Sequence, residues 1–231
     1  GHLRHHLEAA GDDRVGVAAR GLVLLALLAT PAAATPLVVT LVPNVTLDWS
    51  RSALVATGVG PADRNAPSPT VARVGAARAA EQAARAALAA ALAQVPTSGA
   101  GFDPRAPAIA RELALAPVVA VTRGTDGSAK VTVALGLEAL RQARSGPRPV
   151  AGDDGPLVVT YVDARRLAVT PTVGLPVIHA GVRWTGPTRF VAAVPAGVAP
   201  MIATAVSADG LAVPASVAGS AAVVVVVPPE P

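Results

Sequence analysis

The chain has no cysteine. That excludes disulfides, thiolate metal sites, cysteine nucleophiles and a lipid-modified N-terminal cysteine. Aromatic side chains make up only 2% of the 231 residues, and there is a single methionine. The 52% hydrophobic content therefore rests mainly on alanine and valine, so any core is built from small and β-branched side chains. Lysine is nearly missing as well: Lys130 is the one lysine among nineteen basic residues, set against fifteen acids. The first 34 residues hold three arginines and three acids, so the net charge of +4 belongs to the remainder. A small excess spread along the chain reads as solvated surface, and nucleic acid is not an expected partner.

What is present begins with an export pattern. Arg14 and Arg20 precede the apolar run from Gly21 to Ala29, and Ala32-Ala33-Ala34 offers a small-residue cleavage site. This predicts a signal peptide over 1–34. The run falls short of the roughly 20 apolar residues that span a bilayer. An uncleaved anchor keeping residues 21–34 differs from this reading only in processing. His2, His5 and His6 lie in the segment expected to be removed, so no metal site is assigned to them.

The element most clearly specified is a helix from Pro69 to Val95. Ser68 suits the N-cap, Pro69 the first helical position, and Pro96 stops the run. At about 1.5 Å per residue it is roughly 40 Å long. Ala77, Ala80, Ala84, Leu88, Ala91 and Val95 make a smooth apolar face, and Arg78, Glu81, Gln82 and Arg85 a polar stripe expected to face outward. Around this helix, residues 44–58 read as a hairpin turning at Ser50-Arg51-Ser52, and Gly58-Val59-Gly60 as a loop. A second hairpin joins 117–122 to 129–135 through Asp126-Gly127. Short helices are expected at 104–115 and 137–144, and a surface loop at 145–156. Asp153-Asp154 lacks the further acids a cation site needs.

Leu157 to Val162 reads as a strand, with Asp163 and Arg165 on one face and able to pair; Val169 to Val173 is read as its extension past Pro171. Residues 176–184 suggest a hairpin turning near Ala180-Gly181, and Ser207 to Gly210 a turn. The valine run ending at Val227 suggests a strand buried on both faces, or one needing a partner to cover it. The fold class is α+β: one long helix packed on an antiparallel sheet of hairpins, with a β-rich C-terminal part. Residues 35–150 form the α+β domain, and 151–231 a β-rich half continuing the same sheet.

Taken in order, these pieces resemble the family of small bacterial outer-membrane lipoproteins named after a twenty-kilodalton Helicobacter antigen. That family includes flagellar outer-membrane protein P and is related to domains of flagellar assembly protein T. The resemblance is carried by Trp49 with the strand Leu54 to Gly60, by the alanine- and arginine-rich helix Ala72 to Leu92, and by the hairpin Asp126-Gly127 with Val131-Thr132-Val133 and Leu137-Glu138. Gly155-Pro156-Leu157-Val158-Val159, Asp163-Ala164-Arg165 with Leu167, then Pro171, Pro176, Ile178 and Ala222-Val223-Val224 extend it. It implies a long helix against a curved antiparallel sheet and a role at the envelope without known chemistry, several members being ring-forming parts of flagellar structures. The absent lipobox cysteine means that a lipid anchor does not carry over. Arg166 stands where the family usually has glycine, a bulky residue at a place where the resemblance leaves a positive φ open.

No catalytic, cofactor or metal residues are assigned. The expected function is that of a non-enzymatic, exported envelope protein, periplasmic or outer-membrane-associated, acting by self-association or by docking on an envelope partner. Peripheral membrane association and a flagellar setting are compatible with it. The candidate interaction surface is Arg78, Glu81, Arg85, Asp163 and Arg165. The alternatives are a secreted hydrolase using His179 with an aspartate and a serine, for which no G-x-S-x-G elbow is present and Ser207 and Ser216 lack a recognisable context, and a periplasmic binder of a small ligand.

Overall fold

The computed structural model describes residues 37–146 and 158–228. The signal segment 1–34, its histidines and Asp153-Asp154 lie outside the described residues. In chain order the elements are β1 (Val38–Val42), β2 (Val45–Asp48), β3 (Ala53–Gly60), α1 (Pro69–Ala91), α2 (Pro107–Leu115), β4 (Val118–Arg123), β5 (Ala129–Gly136) and α3 (Leu137–Ser145). After them come β6 (Val158–Asp163), β7 (Val177–His179), β8 (Val182–Trp184), β9 (Thr188–Val191), β10 (Met201–Ile202), β11 (Ala205–Ser207), β12 (Gly210–Ala212) and β13 (Ser220–Val226). The α+β class is what the structure shows.

The first sheet has five strands in the order β1-β2-β3-β5-β4, and every neighbouring pair is antiparallel. β1 is an addition to the expected hairpins. It turns into β2 through Pro43-Asn44, with Asn44 at φ 67°, a conformation asparagine tolerates better than most residues. Along β3, Leu54, Ala56, Gly58 and Gly60 are buried, and their partners Leu135, Val133, Val131 and Ala129 on β5 are buried too. This period-two pattern defines the face on which α1 lies.

Ser68 caps α1, its Oγ accepting from the Val71 N–H at 3.3 Å. Ala76, Ala80, Ala84, Leu88 and Ala91 are buried, and a 3-10 turn at Leu92–Gln94 completes the run. The buried face is rotated slightly from the expected one: Ala76 lies fully inside and Ala77 at the margin. Beneath it, Gly58 and Gly60 are strand rather than loop. A Cβ built on Gly58 would stand 2.0 Å from the Ala80 carbonyl oxygen, and one on Gly60 2.0 Å from that of Ala76. The glycines that suggested a loop are therefore there so that a helix backbone can rest directly on a strand.

The C-terminal strands do not continue the first sheet. One four-stranded sheet has the order β10-β6-β13-β9 with all neighbours parallel; another has the order β11-β12-β7-β8. Inserted between β6 and β9, β13 alternates between two apolar clusters. Val223, Val225 and Val227 join the main core, whereas Val224 and Val226 pack with Val191, Tyr161 and Val194. A valine run buried on both faces is what a central parallel strand requires.

Nor does Val169 to Val173 extend β6. Asp163 Oδ1 accepts the Arg165 N–H at 3.0 Å, turning the chain where β6 ends. Farther on, Val173 makes only a single bridge to Thr97. Arg166 does not use the positive φ that the resemblance leaves open; outside glycine, the described residues with positive φ are Asn44, Ser52 and Ala180. Ala180 and Gly181, at φ 48° and 80°, form the expected turn between β7 and β8. The first sheet and the C-terminal strands share one main core. Trp49 meets Phe190 edge to face with centroids 5.3 Å apart, and the Phe190 N–H donates to the Trp49 carbonyl.

Two glycine substitutions of opposite sign test this packing. Gly58→Ala is expected to cost about 3 kcal/mol or more, because its new methyl meets backbone that cannot rotate away. Gly75→Ala, on the exposed side of α1 with nothing within 4 Å, is expected to stabilise by up to about 1 kcal/mol. Urea unfolding of the two variants measures both.

Candidate functional site

β4 is an edge strand, and all six of its residues are exposed. Leu115, Val118, Val119 and Val121 are 63%, 39%, 56% and 46% exposed, a dense apolar run in one short segment. Its ladder with β5 is anchored by Gly124 N–H to Ser128 O at 2.9 Å and by Ala134 N–H to Pro117 O at 3.1 Å. Inward and outward groups alternate along an antiparallel strand. The backbone groups of Ala120 and Thr122 therefore face β5, and those of Val121 and Arg123 face outward. The hairpin tip is firm: Asp126 Oδ1 accepts from the Ser128 hydroxyl at 2.6 Å and its N–H at 3.0 Å. These hydrogen bonds hold the Asp126 carboxyl below its usual pKa.

α1 covers β3 and β5 but leaves β4 bare. Between them runs a groove of about 430 Å³ lined by Thr70, Arg73, Val74, Ala77, Arg78, Glu81 and Arg123. Val121 and Arg123 pair with the buried Val131 and Ala129, so they lie on the helix side of the sheet. Of the expected surface residues, Arg78 and Glu81 line this groove. Arg85 does not belong to an outer stripe. It is partly buried, takes Glu81 Oε1 at 2.7 Å, and donates to the Leu113 and Ala114 carbonyls at 2.7 and 2.9 Å. Those carbonyls end α2, so Arg85 satisfies acceptors the helix leaves open. None of the ion pairs among the described residues involves Arg73, Arg78 or Arg123.

Asp163 and Arg165 do pair, at 2.6 Å, but in the second sheet and across a turn rather than along a strand. The Arg165 guanidinium lowers the Asp163 pKa, and the carboxylate raises that of Arg165 in return. The structure therefore does not gather the five expected residues into one surface. A structural cluster of arginines lies elsewhere, at α3 and the loop beside it. Arg141 is buried and takes Glu138 through two hydrogen bonds of 2.8 and 2.6 Å, which raise its pKa. Arg144 stacks 5.1 Å over the Phe102 ring and donates to the Ala100 carbonyl. The signal available was the spacing of Glu138 and Arg141 three residues apart on an amphipathic helix.

His179, Ser216, Val217, Ala218 and Trp184 border a separate hollow of about 270 Å³. His179 Nδ1 donates to the Val213 carbonyl at 3.2 Å. Ser216 Oγ accepts the Ala218 N–H at 3.2 Å. Among the described residues no hydrogen bond joins His179 to a serine, and no carboxylate lines the hollow. The imidazole is oriented by a backbone carbonyl, not by an acid as in a catalytic triad. Ser207 binds the Asp209 N–H in a different turn.

The Asp163 pair gives a pH test. Its folded-state pKa lies below the usual 3.8, so its stabilisation is present above that value and lost as pH falls through the folded-state pKa. Asp163→Asn is expected to lower stability by a constant amount at pH 6 and above. That difference should shrink as the pH drops below about 4, as read from urea unfolding across a pH series.

Comparison of the chain with protein-family models, with curated proteins and with solved structures finds no match.

Proposed function

We propose that this chain is a non-enzymatic, exported protein of the cell envelope that works by associating with copies of itself or by docking on an envelope partner. The observation that carries the reading is β4. A fully exposed, valine-rich edge strand is a template for another strand. Proteins that do not use such an edge blunt it with charge, proline or a cover, and β4 carries its first charge only at Arg123, where it ends. The family resemblance adds the outer-membrane or flagellar setting, and the export pattern of residues 1–34 adds the route.

The test is the state of the protein in its own cells. Fractionation is expected to place it in the periplasm or outer membrane, sedimenting as something larger than one copy. Replacing Val119 and Val121 together by lysine should release single copies without changing the circular dichroism spectrum. A native cytoplasmic monomer would overturn the proposal.

A further inference from the structure

The geometry points to an extended, acidic segment of a partner protein as the occupant of the groove between α1 and β4, added to the first sheet as a sixth strand. This rests on the docking function proposed above and names the partner's chemistry. Three observations meet at one place. The outward N–H and C=O groups of Val121 and Arg123 offer a strand its hydrogen bonds. Val74 and Ala77 give the groove an apolar floor, and the exposed Val121 lies on the same side of the sheet as α1. Arg73, Arg78 and Arg123 are exposed, and no acid pairs with them among the described residues. Glu81, the acid on the groove wall, is already held by Arg85.

A strand lying against β4 sends every second side chain to the helix side. Carboxylates at alternate positions would enter the groove and meet the three guanidiniums, which suit carboxylates in paired geometry. The residues between them would project to the opposite face, beside Ala120, Thr122 and Lys130.

Charge also selects against a second copy. Antiparallel pairing of β4 with β4 places the two-fold axis across the sheet, so both α1 helices fall on the same face. Arg73, Arg78 and Arg123 of the two copies would then share one cleft with no free acid to balance them. Like charges brought together in a cleft oppose association. An acidic strand makes the same backbone hydrogen bonds and neutralises the cleft.

The experiment uses the full chain and a fluorescent seven-residue peptide in which glutamate alternates with threonine, with a twin carrying lysine for glutamate. By fluorescence anisotropy at low salt, the glutamate peptide is expected to bind about tenfold or more tighter than its twin, the scale of several exposed ion pairs. The preference should fade as salt rises and the Debye length shortens. Arg73→Glu with Arg123→Glu should invert it. Val121→Pro removes an N–H that faces away from β5, a place where an edge strand tolerates proline. It should weaken the glutamate peptide about tenfold while the circular dichroism spectrum is kept.

Equal binding of the two peptides overturns the acidic partner. A preference that survives Val121→Pro overturns strand addition. If neither peptide binds and the protein forms dimers that Val121→Pro dissolves, the occupant is a second copy, and the docking function stands without this inference. If neither peptide binds a protein that is monomeric in its native envelope, both fall.

Discussion

A helix backbone can approach a strand only where neither surface has side-chain bulk, and residues 58–60 and 76–84 meet that condition together. Gly58 and Gly60 present bare backbone, and Ala76, Ala80 and Ala84 present single methyl groups. The rest of the N-terminal half follows from this contact. Because α1 sits low over β3 and β5, Leu88, Leu92 and Val95 reach the core at its C-terminal end, where larger side chains fit. Because it is narrow and alanine-faced, it does not extend across β4. The close packing that stabilises the centre of the sheet is also what leaves its edge uncovered.

The same arrangement sorts the arginines into two kinds. Arg85, Arg141 and Arg144 reach inward to carbonyls, to Glu138 and to the Phe102 ring. Their long stems fill space in a chain with few aromatics, and their heads satisfy acceptors at helix ends and loops. Arg73, Arg78 and Arg123 do none of this. They border a groove whose floor is apolar and whose rim is an open strand edge, a combination that structural arginines do not need.

Much of the fold was legible because it is local. Ser68 with Pro69, the Asp126-Gly127 turn, Ala180-Gly181 and the valine run to Val227 each signal their own conformation within a few residues. What was not legible depends on distant partners. Gly58-Val59-Gly60 reads as a loop until α1 is placed over it. The parallel pairing of β6 with β13 joins segments far apart in the chain, and no local pattern distinguishes it from continuation of the first sheet. The site was half legible for the same reason. Arg78 and Glu81 were recognisable as a helix stripe, but Arg123 became their neighbour only through the β4–β5 pairing. The inward turn of Arg85 depends on where α2 ends.

Everything proposed for this chain depends on β4 presenting a free strand edge. Hydrogen exchange of its individual amides, followed by NMR in the isolated protein, tests this most directly. Slow exchange is expected at Ala120 and Thr122, whose N–H groups face β5, and fast exchange at Val121 and Arg123, which face outward. Protection of Val121 and Arg123 equal to that of Ala120 and Thr122 in a single isolated copy would contradict it, because the edge would then already be covered.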